Sequence, residues 1–407
     1  MQLVYVIILL VLNSGIVRYD SFFFGLIEFS YTVHILLNSV FICLLVYESE
    51  TDRESNSAVK KGLLAIALYL FFRFCYDFYS VGSAYKDYAI PTMLSQVLSY
   101  VIIYVVYRML IPDFEIFIRK LQNILFILGL LSIIFYLSNI SEAKNEILWR
   151  EGAEFIRYKH GFYHLSMLSL YISCIQLFVI KNKYNIAFVI MNIAVQLISI
   201  SLTNYRSSMI ISFGFVLTVL LMYLVMEKKY KYLLVVAIIA AVSAFISFDY
   251  DDSSGIFARI FLTESLMEDP NMIWRMLESK MALDQMDTIK DYLIGVGYIK
   301  PFYLDEYKIF FLHNGYVSIF YNYGILAVFL YGFLIYNFIR SVFRNNIFRQ
   351  MQGIVTLIYL AGLLMQNFTS GIFTREESAV IGFGLFLMIF DRSSRVKGDV
   401  CQTQADQ

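Results

Sequence analysis

The chain has 407 residues, 59% hydrophobic and 16% charged, with Lys+Arg balanced by Asp+Glu to a formal net charge of zero. A soluble domain carries about 25% charged residues, so the composition excludes an ordinary soluble globule and points to an integral membrane protein. Zero net charge gives no electrostatic footprint for nucleic acid, and four cysteines, three of them in apolar runs (Cys43, Cys75, Cys174) and one in a polar tail (Cys401), make neither a disulfide framework nor a metal-ligand cluster.

Taken in order, twelve stretches meet the requirement of roughly 20 apolar residues per membrane span: 1–17, 21–47, 62–80, 92–111, 121–140, 163–180, 185–202, 207–226, 232–248, 313–339, 353–371 and 378–391. The expected fold is therefore an all-α polytopic membrane protein with about twelve transmembrane helices. Residues 1–17 lack a positive n-region and a small-residue cleavage site, so they read as a retained span rather than a secretion signal. The stretch 21–47 is long enough to require tilt. No internal repeat is visible, and the four prolines (Pro91, Pro112, Pro270, Pro301) fall in connections or at span ends. Gly and Pro do not interrupt paired spans as they do in broken-helix transporters.

Alternate connections carry two or three positive charges each: Arg53/Lys60/Lys61, Arg108/Arg119/Lys120, Lys181/Lys183, Lys228/Lys229/Lys231, Arg340/Arg344/Arg349 and the tail Arg392/Arg395/Lys397. The intervening short ones carry about one (Arg18, Lys86, Arg206, Arg375). By the positive-inside rule both termini are cytoplasmic and the two long connections, 141–162 and 249–312, face out. This divides the chain into spans one to nine over 1–248, a long external loop over 249–312, spans ten to twelve over 313–391, and a cytoplasmic tail over 392–407.

One long loop among short ones is where function is expected. It opens with the acidic turn Asp249 to Ser254, followed by 256–267, where Ile256, Phe257, Ile260 and Phe261 share a helical face as in a helix lying on a membrane. Asp269 is a good N-cap and Pro270 suits a first helical position. The helix that follows, over about 270–289, sets Ile273, Leu277 and Met281 at fourfold spacing. Gly295-Val296-Gly297 marks a turn before the chain returns to the membrane at His313.

Several polar residues gather toward the outer face, each with a bland and a functional meaning. Arg206, in the turn Leu202 to Ser208, either snorkels to lipid headgroups or clamps an anion at the start of a helix whose dipole favours negative charge. Arg275 stands three residues before Glu278, so a surface ion pair is its bland role. His313, at the start of a span, is either satisfied by backbone or serves as a base or donor toward a hydroxyl, its charge changing near neutral pH. Its neighbour Asn314 can hydrogen-bond a hydroxyl or fix the loop. Arg73 and Asp77, four apart inside the third span, are costly in lipid and are therefore functional candidates, yet they can satisfy each other on one helix face. Arg375, Arg259 and Glu28 are weaker candidates; His34 is expected to be packed inside its span, and His160 and His164 flank the sixth span.

Three stretches together resemble a known family: Leu202 to Ser208, Arg275 to Gly297 with its Leu293-Ile294-Gly295-Val296-Gly297-Tyr298 turn, and His313-Asn314-Gly315-Tyr316 followed by Tyr323-Gly324-Ile325. They resemble the bacterial O-antigen polymerase (Wzy-type) and O-antigen ligase families, whose members have ten to fourteen spans, an outward arginine in a central turn and a long external loop ending in His/Asn. The resemblance covers roughly residues 185–340. It implies a membrane-embedded, GT-C-like glycosyltransferase of the bacterial inner membrane that uses no cofactor and no metal. Donor and acceptor would both be glycans on undecaprenyl diphosphate, joined at the periplasmic face, with the chain-length regulator and flippase of the same pathway as further partners and no nucleic acid. The resemblance implies Arg206, Arg275 and His313 as catalytic residues, with Asn314, Arg73, Asp77, Arg375 and Arg259 as substrate contacts. Tyr205 stands where the ligase turn often has serine, which tilts the expectation to a polymerase, with the ligase as the alternative. A flippase or transporter would place its charges around the bilayer midplane, and a non-catalytic assembly subunit would need none of these residues.

This topology predicts the accessibility of single cysteines placed in a cysteine-free background. An impermeant reagent added to intact spheroplasts should modify positions 86 and 252 and leave positions 56, 229 and 344 untouched; modification at 229 would overturn the orientation.

Overall fold

The computed structural model describes residues 2–13, 17–18, 27–28, 31–48, 57–80, 86–108, 114–138, 147–150, 153–156, 163–178, 183–202, 206–226, 270–297, 302–304, 307–309, 312–344, 351–370, 373 and 379–391. Helices dominate. In chain order they are α1 (Gln2–Leu12), α2 (Tyr31–Glu48), α3 (Ala58–Ser80), α4 (Lys86–Arg108), α5 (Phe114–Ser138), α6 (Tyr163–Leu177), α7 (Lys183–Leu202), α8 (Arg206–Met226), α9 (Pro270–Asp284), α10 (Ile289–Ile294), α11 (Gly315–Arg344), α12 (Met351–Ser370) and α13 (Ala379–Asp391). Five of them are long and apolar enough to cross a membrane, within α5, α7, α8, α11 and α12; shorter apolar helices cover Val33–Tyr47, Met93–Arg108 and Ala379–Asp391. The sequence count of about twelve spans is not reached by that criterion among the described residues, and the expected span 232–248 lies outside them.

Two differences from the all-helical expectation have simple causes. Three two-stranded ribbons are present: β1 (Val17–Arg18) pairs in parallel with β2 (Ile27–Glu28), while β3 (Ile147–Arg150) with β4 (Ala153–Ile156) and β5 (Phe302–Leu304) with β6 (Tyr307–Ile309) are antiparallel. Because β2 occupies 27–28, the helix behind the long stretch 21–47 starts only at Tyr31 and runs 18 residues. The second difference is inside α11, where Gly324 (φ 70°, ψ −176°) leaves helical geometry and divides the element into a first segment, 315–323, and a longer one after the break.

Helix neighbours follow the chain closely: α6 packs on α7, α3 on α4, α1 on α2, and α8 on α12, while α11 crosses to α3 and α10. The core they enclose is rich in large rings, including Tyr100, Tyr107, Tyr171, Tyr323, Phe338, Phe383 and Phe386, all buried. Lipid tails are as apolar as leucine, so helices in a bilayer associate through close packing and shared polar groups. Asn192 of α7 donates to Ser173 of α6 at 2.8 Å and to Ser169 at 3.0 Å, Gln122 of α5 donates to Ser173 at 3.1 Å, and Gln196 donates to the Leu125 carbonyl at 2.9 Å. Asn13, Asn38 and His34 form a similar buried set between α1 and α2, with His34 Nε2 3.1 Å from the Leu12 carbonyl. His34 is thus packed, as its place deep in a span predicts. His164 is also buried, its ring lying against Tyr163.

The α5–α6–α7 network generates a stability prediction. Asn192→Leu removes the donor shared by two serines and should lower the unfolding midpoint of the detergent-solubilised protein, costing about 1–2 kcal/mol on the scale of interhelical hydrogen bonds in membranes. An unchanged midpoint would show that the network adds nothing to helix association.

Candidate active site

The site is built where the long loop meets the bundle, and its foundation is a buried ion pair. Arg73 and Asp77 sit four apart on α3 at 4% and 3% exposure, with Arg73 Nε 2.8 Å from Asp77 Oδ2. The guanidinium also donates through Nη1 to the carbonyls of Ile294, in a short contact, and Gly295, at 3.0 Å. The turn 293–297 therefore plugs into the side of α3. Gly297 (φ 101°) lies so close that a Cβ there would stand 2.6 Å from Arg73 Nη2 and 2.9 Å from Asp77 Oδ1.

The same turn fills the break in α11. The Val296 N–H donates to the Tyr321 carbonyl at 2.7 Å, the Tyr69 hydroxyl to the Tyr323 carbonyl at 2.5 Å, and the Tyr323 hydroxyl to Gln96 in a short contact. Carbonyls released by the non-helical Gly324 are in this way satisfied by the loop and by α3, as buried backbone requires. A Cβ on Gly324 would meet Gly295 N at 2.5 Å, and its φ is one that side chains rarely adopt. α10 is held in front of α3 as well: Lys290 Nζ lies 4.7 Å above the Tyr76 ring. A capping box starts α10, with Thr288 accepting from Asp291 N at 3.2 Å and Asp291 accepting from Thr288 N at 3.1 Å.

On this foundation α9 packs on the first segment of α11. Its inward face is not the Ile273–Leu277–Met281 stripe that fourfold spacing suggests. Ile273 and Leu277 are exposed at 51% and 42%, whereas Glu278, at 2%, and Ala282, at 0%, turn inward, the latter into a small core with Met286, Leu312 and Tyr321. Exposed apolar side chains are common on proteins, so periodicity finds the helix without finding its packed side. Glu278 is also not at a helix surface, where the bland pairing with Arg275 would place it. Both of its carboxylate oxygens meet His313 Nδ1, at 2.9 Å from Oε2 and 3.1 Å from Oε1, while the imidazole keeps 22% exposure.

Beside this pair opens a cleft of about 360 Å³ lined by Arg275, Met276, Ser279, Lys280, Leu283 and Asp284 of α9, Asn314 before α11, and Phe368 near the end of α12. Asn314 caps α11: its Oδ1 accepts from Tyr316 N at 3.1 Å and Val317 N at 3.3 Å. Two further contacts bring α8 to the same end. The Tyr316 hydroxyl donates to the Leu364 carbonyl of α12 at 2.8 Å, and Gln366 of α12 donates to Ser208 at 2.9 Å, two residues past the start of α8 at Arg206.

The structure thus gathers Arg275, His313, Asn314 and the α8 start at Arg206 at one end of the bundle. The Arg206 side chain, and all of Arg259 and Arg375, lie outside the described residues, as does the 249–269 part of the loop. Arg73 and Asp77 are held by each other and by the loop backbone, and neither lines the cleft; their observed work is structural. Glu278 was missed as a functional candidate because its only sequence signal is the i+3 spacing from Arg275, and its partner is 35 residues away.

Residues 189–332 match the family model described as O-antigen ligase. This stretch is similar to that family. The match runs from α7 through α8, α9 and α10 into α11, so Arg206, Arg275, Glu278, His313 and Gly324 all lie within it. Members of the O-antigen ligase family are glycosyl-transferring enzymes that work on lipid-linked sugars. Comparison with curated proteins gives no match.

The interlock predicts which changes damage folding. Arg73→Ala removes the ion-pair partner of Asp77 and the donor to two carbonyls, a loss of about 3–5 kcal/mol for a buried pair, and should sharply lower the amount of protein recovered from the membrane. Gly297→Ala, carrying a Cβ against the guanidinium at a strained φ, should lower the unfolding midpoint as well. Wild-type abundance and midpoint in both would show that the turn does not need its socket.

Proposed function

We propose that the chain polymerises lipid-linked polysaccharide repeat units, transferring a glycan from undecaprenyl diphosphate to an acceptor repeat at the outer face of the inner membrane. The observation that carries this reading is a cleft lined by Arg275 and Asn314, with the His313–Glu278 pair formed by residues adjacent in sequence to the lining residues Asn314 and Ser279, inside the stretch that matches the O-antigen ligase family model. In the proposed step an acceptor hydroxyl oxygen attacks the donor's anomeric carbon. The bond from that carbon to the diphosphate oxygen breaks, and polyprenyl diphosphate leaves with the electron pair. Charge developing on the leaving group calls for fixed positive charge at that point. Arg275 on the cleft wall fills that role, with Arg206 at the α8 start beside the helix dipole. His313 takes or orients the acceptor hydroxyl proton, and Asn314, whose Oδ1 is committed to the helix cap, has its amide left to hydrogen-bond sugar. On this reading the charge is met by guanidinium and no metal is needed. The chain-length regulator and flippase of the same pathway are the partners such a polymerase would have.

The description of the matched family favours a second reading, an O-antigen ligase that transfers the finished glycan to lipid A core. Tyr205 in the turn before Arg206 supports the polymerase. The glycan ladder of a deletion strain separates the two. Single repeat units on the core mean that polymerisation was lost; a lipid-linked polymer that never reaches the core means that ligation was lost.

Three outcomes follow for purified protein acting on lipid-linked repeat units. Arg275→Ala and Arg206→Ala should each lose on the order of 10²–10³ in turnover, with lysine recovering little because a point charge does not reproduce the bidentate fork; full recovery by lysine would reduce either arginine to a headgroup anchor. His313→Ala should lose about 10²–10⁴. Activity should also survive EDTA, and a loss on chelation reversed by magnesium or manganese would transfer the charge stabilisation from arginine to a metal.

A further inference from the structure

We infer that Glu278 is the positioning residue of the site: it acts through His313, holding the imidazole by Nδ1 so that Nε2 is the nitrogen presented to the acceptor hydroxyl. The inference rests on the proposed glycosyl transfer and adds to it the group that makes His313 competent. Three observations carry it. Glu278 is 2% exposed and His313 22%, so the imidazole is reached from outside while the carboxylate is sheltered behind it. Both carboxylate oxygens converge on the one ring nitrogen, at 2.9 and 3.1 Å. And α9 presents Glu278 on its packed face, one turn before Ala282 in the small core, in a helix whose exposed positions carry Ile273, Trp274, Met276 and Leu277.

The chemistry follows from the donor inventory. An ionised carboxylate only accepts hydrogen bonds, so Nδ1 must carry a proton, and in the neutral ring the lone pair then resides on Nε2. A histidine without such a partner samples both tautomers and several ring orientations, and only a fraction of molecules would be ready to accept a proton. When the acceptor oxygen bonds to the anomeric carbon, its proton passes to Nε2. The imidazolium so formed has its charge beside the Glu278 carboxylate, the arrangement by which a sheltered carboxylate orients and stabilises a catalytic imidazole. A carboxylate buried without a partner is costly, so the same contact also ties α9 to the start of α11. The experiment must separate positioning from that tie.

The test is a double-mutant cycle on the full-length protein in nanodiscs. Its substrate is undecaprenyl-diphosphate-linked repeat units extracted from a strain lacking this chain, read as single-turnover rate, KM and unfolding midpoint. Glu278→Gln keeps the size of the side chain and an oxygen able to accept from Nδ1, but it removes the charge and allows the opposite tautomer. It should lose about 10–10²-fold in single-turnover rate, the scale of outer hydrogen-bond partners, with KM and the unfolding midpoint near wild type. Glu278→Ala should lose more. In a His313→Ala background, Glu278→Gln should cost nothing further, because the group it acts through is already gone. In 15N spectra of histidine-labelled protein, the resonances absent from His313→Ala should show the Nδ1-protonated tautomer in wild type and a mixture in Glu278→Gln. Full single-turnover rate in Glu278→Gln, or an equal further loss in both backgrounds, would overturn the inference and leave a structural tie. Near wild-type turnover in His313→Ala at equal abundance would instead overturn the proposed role of His313, whatever Glu278 does.

Discussion

A buried guanidinium and a buried carboxylate are tolerated only when each finds partners, and the Arg73–Asp77 pair finds them in the loop as well as in itself. Its guanidinium donates to Asp77 and to the carbonyls of Ile294 and Gly295, so the cost of burying charge and the cost of bringing a loop turn into the bundle cancel against each other. The break at Gly324 enters the same exchange. It releases carbonyls of α11, and these are taken by Val296 N–H and the Tyr69 hydroxyl. Neither the turn nor the break would be stable alone, because each leaves backbone groups unsatisfied where no water reaches them.

The consequence for the site is geometric. The break makes 315–323 a short segment whose direction is set by the turn and α3 instead of by the rest of α11. That segment carries His313 and Asn314 at its head. The chain entering it comes from α9 and α10, so the element bearing Arg275 and Glu278 is registered against the element bearing His313 through one interlock. A side chain from the loop and one from the membrane boundary can then be held within hydrogen-bond distance, which positioning for group transfer requires. On the proposed function the mixed walls of the cleft also make sense: Arg275 and Lys280 for a diphosphate, Ser279 and Asn314 for sugar, Met276, Leu283 and Phe368 for the apolar side of a lipid-linked substrate.

Away from the site, the polar residues of the bundle do a different job. Asn192, Gln196 and Gln122 join α5, α6 and α7 by hydrogen bonds between side chains or to a released carbonyl. At the opposite end from the cleft along α4, Asp391 accepts from Ser57 at 3.0 Å and from Tyr107 in a short contact, joining the ends of α13 and α4 to the start of α3. Such pairings hold helices that hydrophobicity alone would not draw together in lipid.

Hydropathy was enough to find the helices. The stretches 62–80, 121–140, 185–202, 207–226 and 353–371 each correspond to a helix, because a backbone in lipid must satisfy its own hydrogen bonds and only length and apolarity are needed to recognise one that does. The loop helix starting at Pro270, the Gly295–Gly297 turn and the positions of Arg275, His313 and Asn314 were legible for the same kind of local reason: caps, positive φ and charge leave signals within a few residues. What the sequence did not contain was the partner of each group. It offered Glu278 to Arg275, three residues away, while the fold buries it against His313. It gave Arg73 and Asp77 each other as partners four residues apart, and the tertiary structure adds the carbonyls of residues 294 and 295 at the guanidinium. It set Ile273, Leu277 and Met281 at fourfold spacing on α9, and in the structure Ile273 and Leu277 are exposed while Glu278 and Ala282 are buried. Pattern reports a helix because its period is local; which face packs, and which distant nitrogen a carboxylate meets, are decided only when the whole chain has folded.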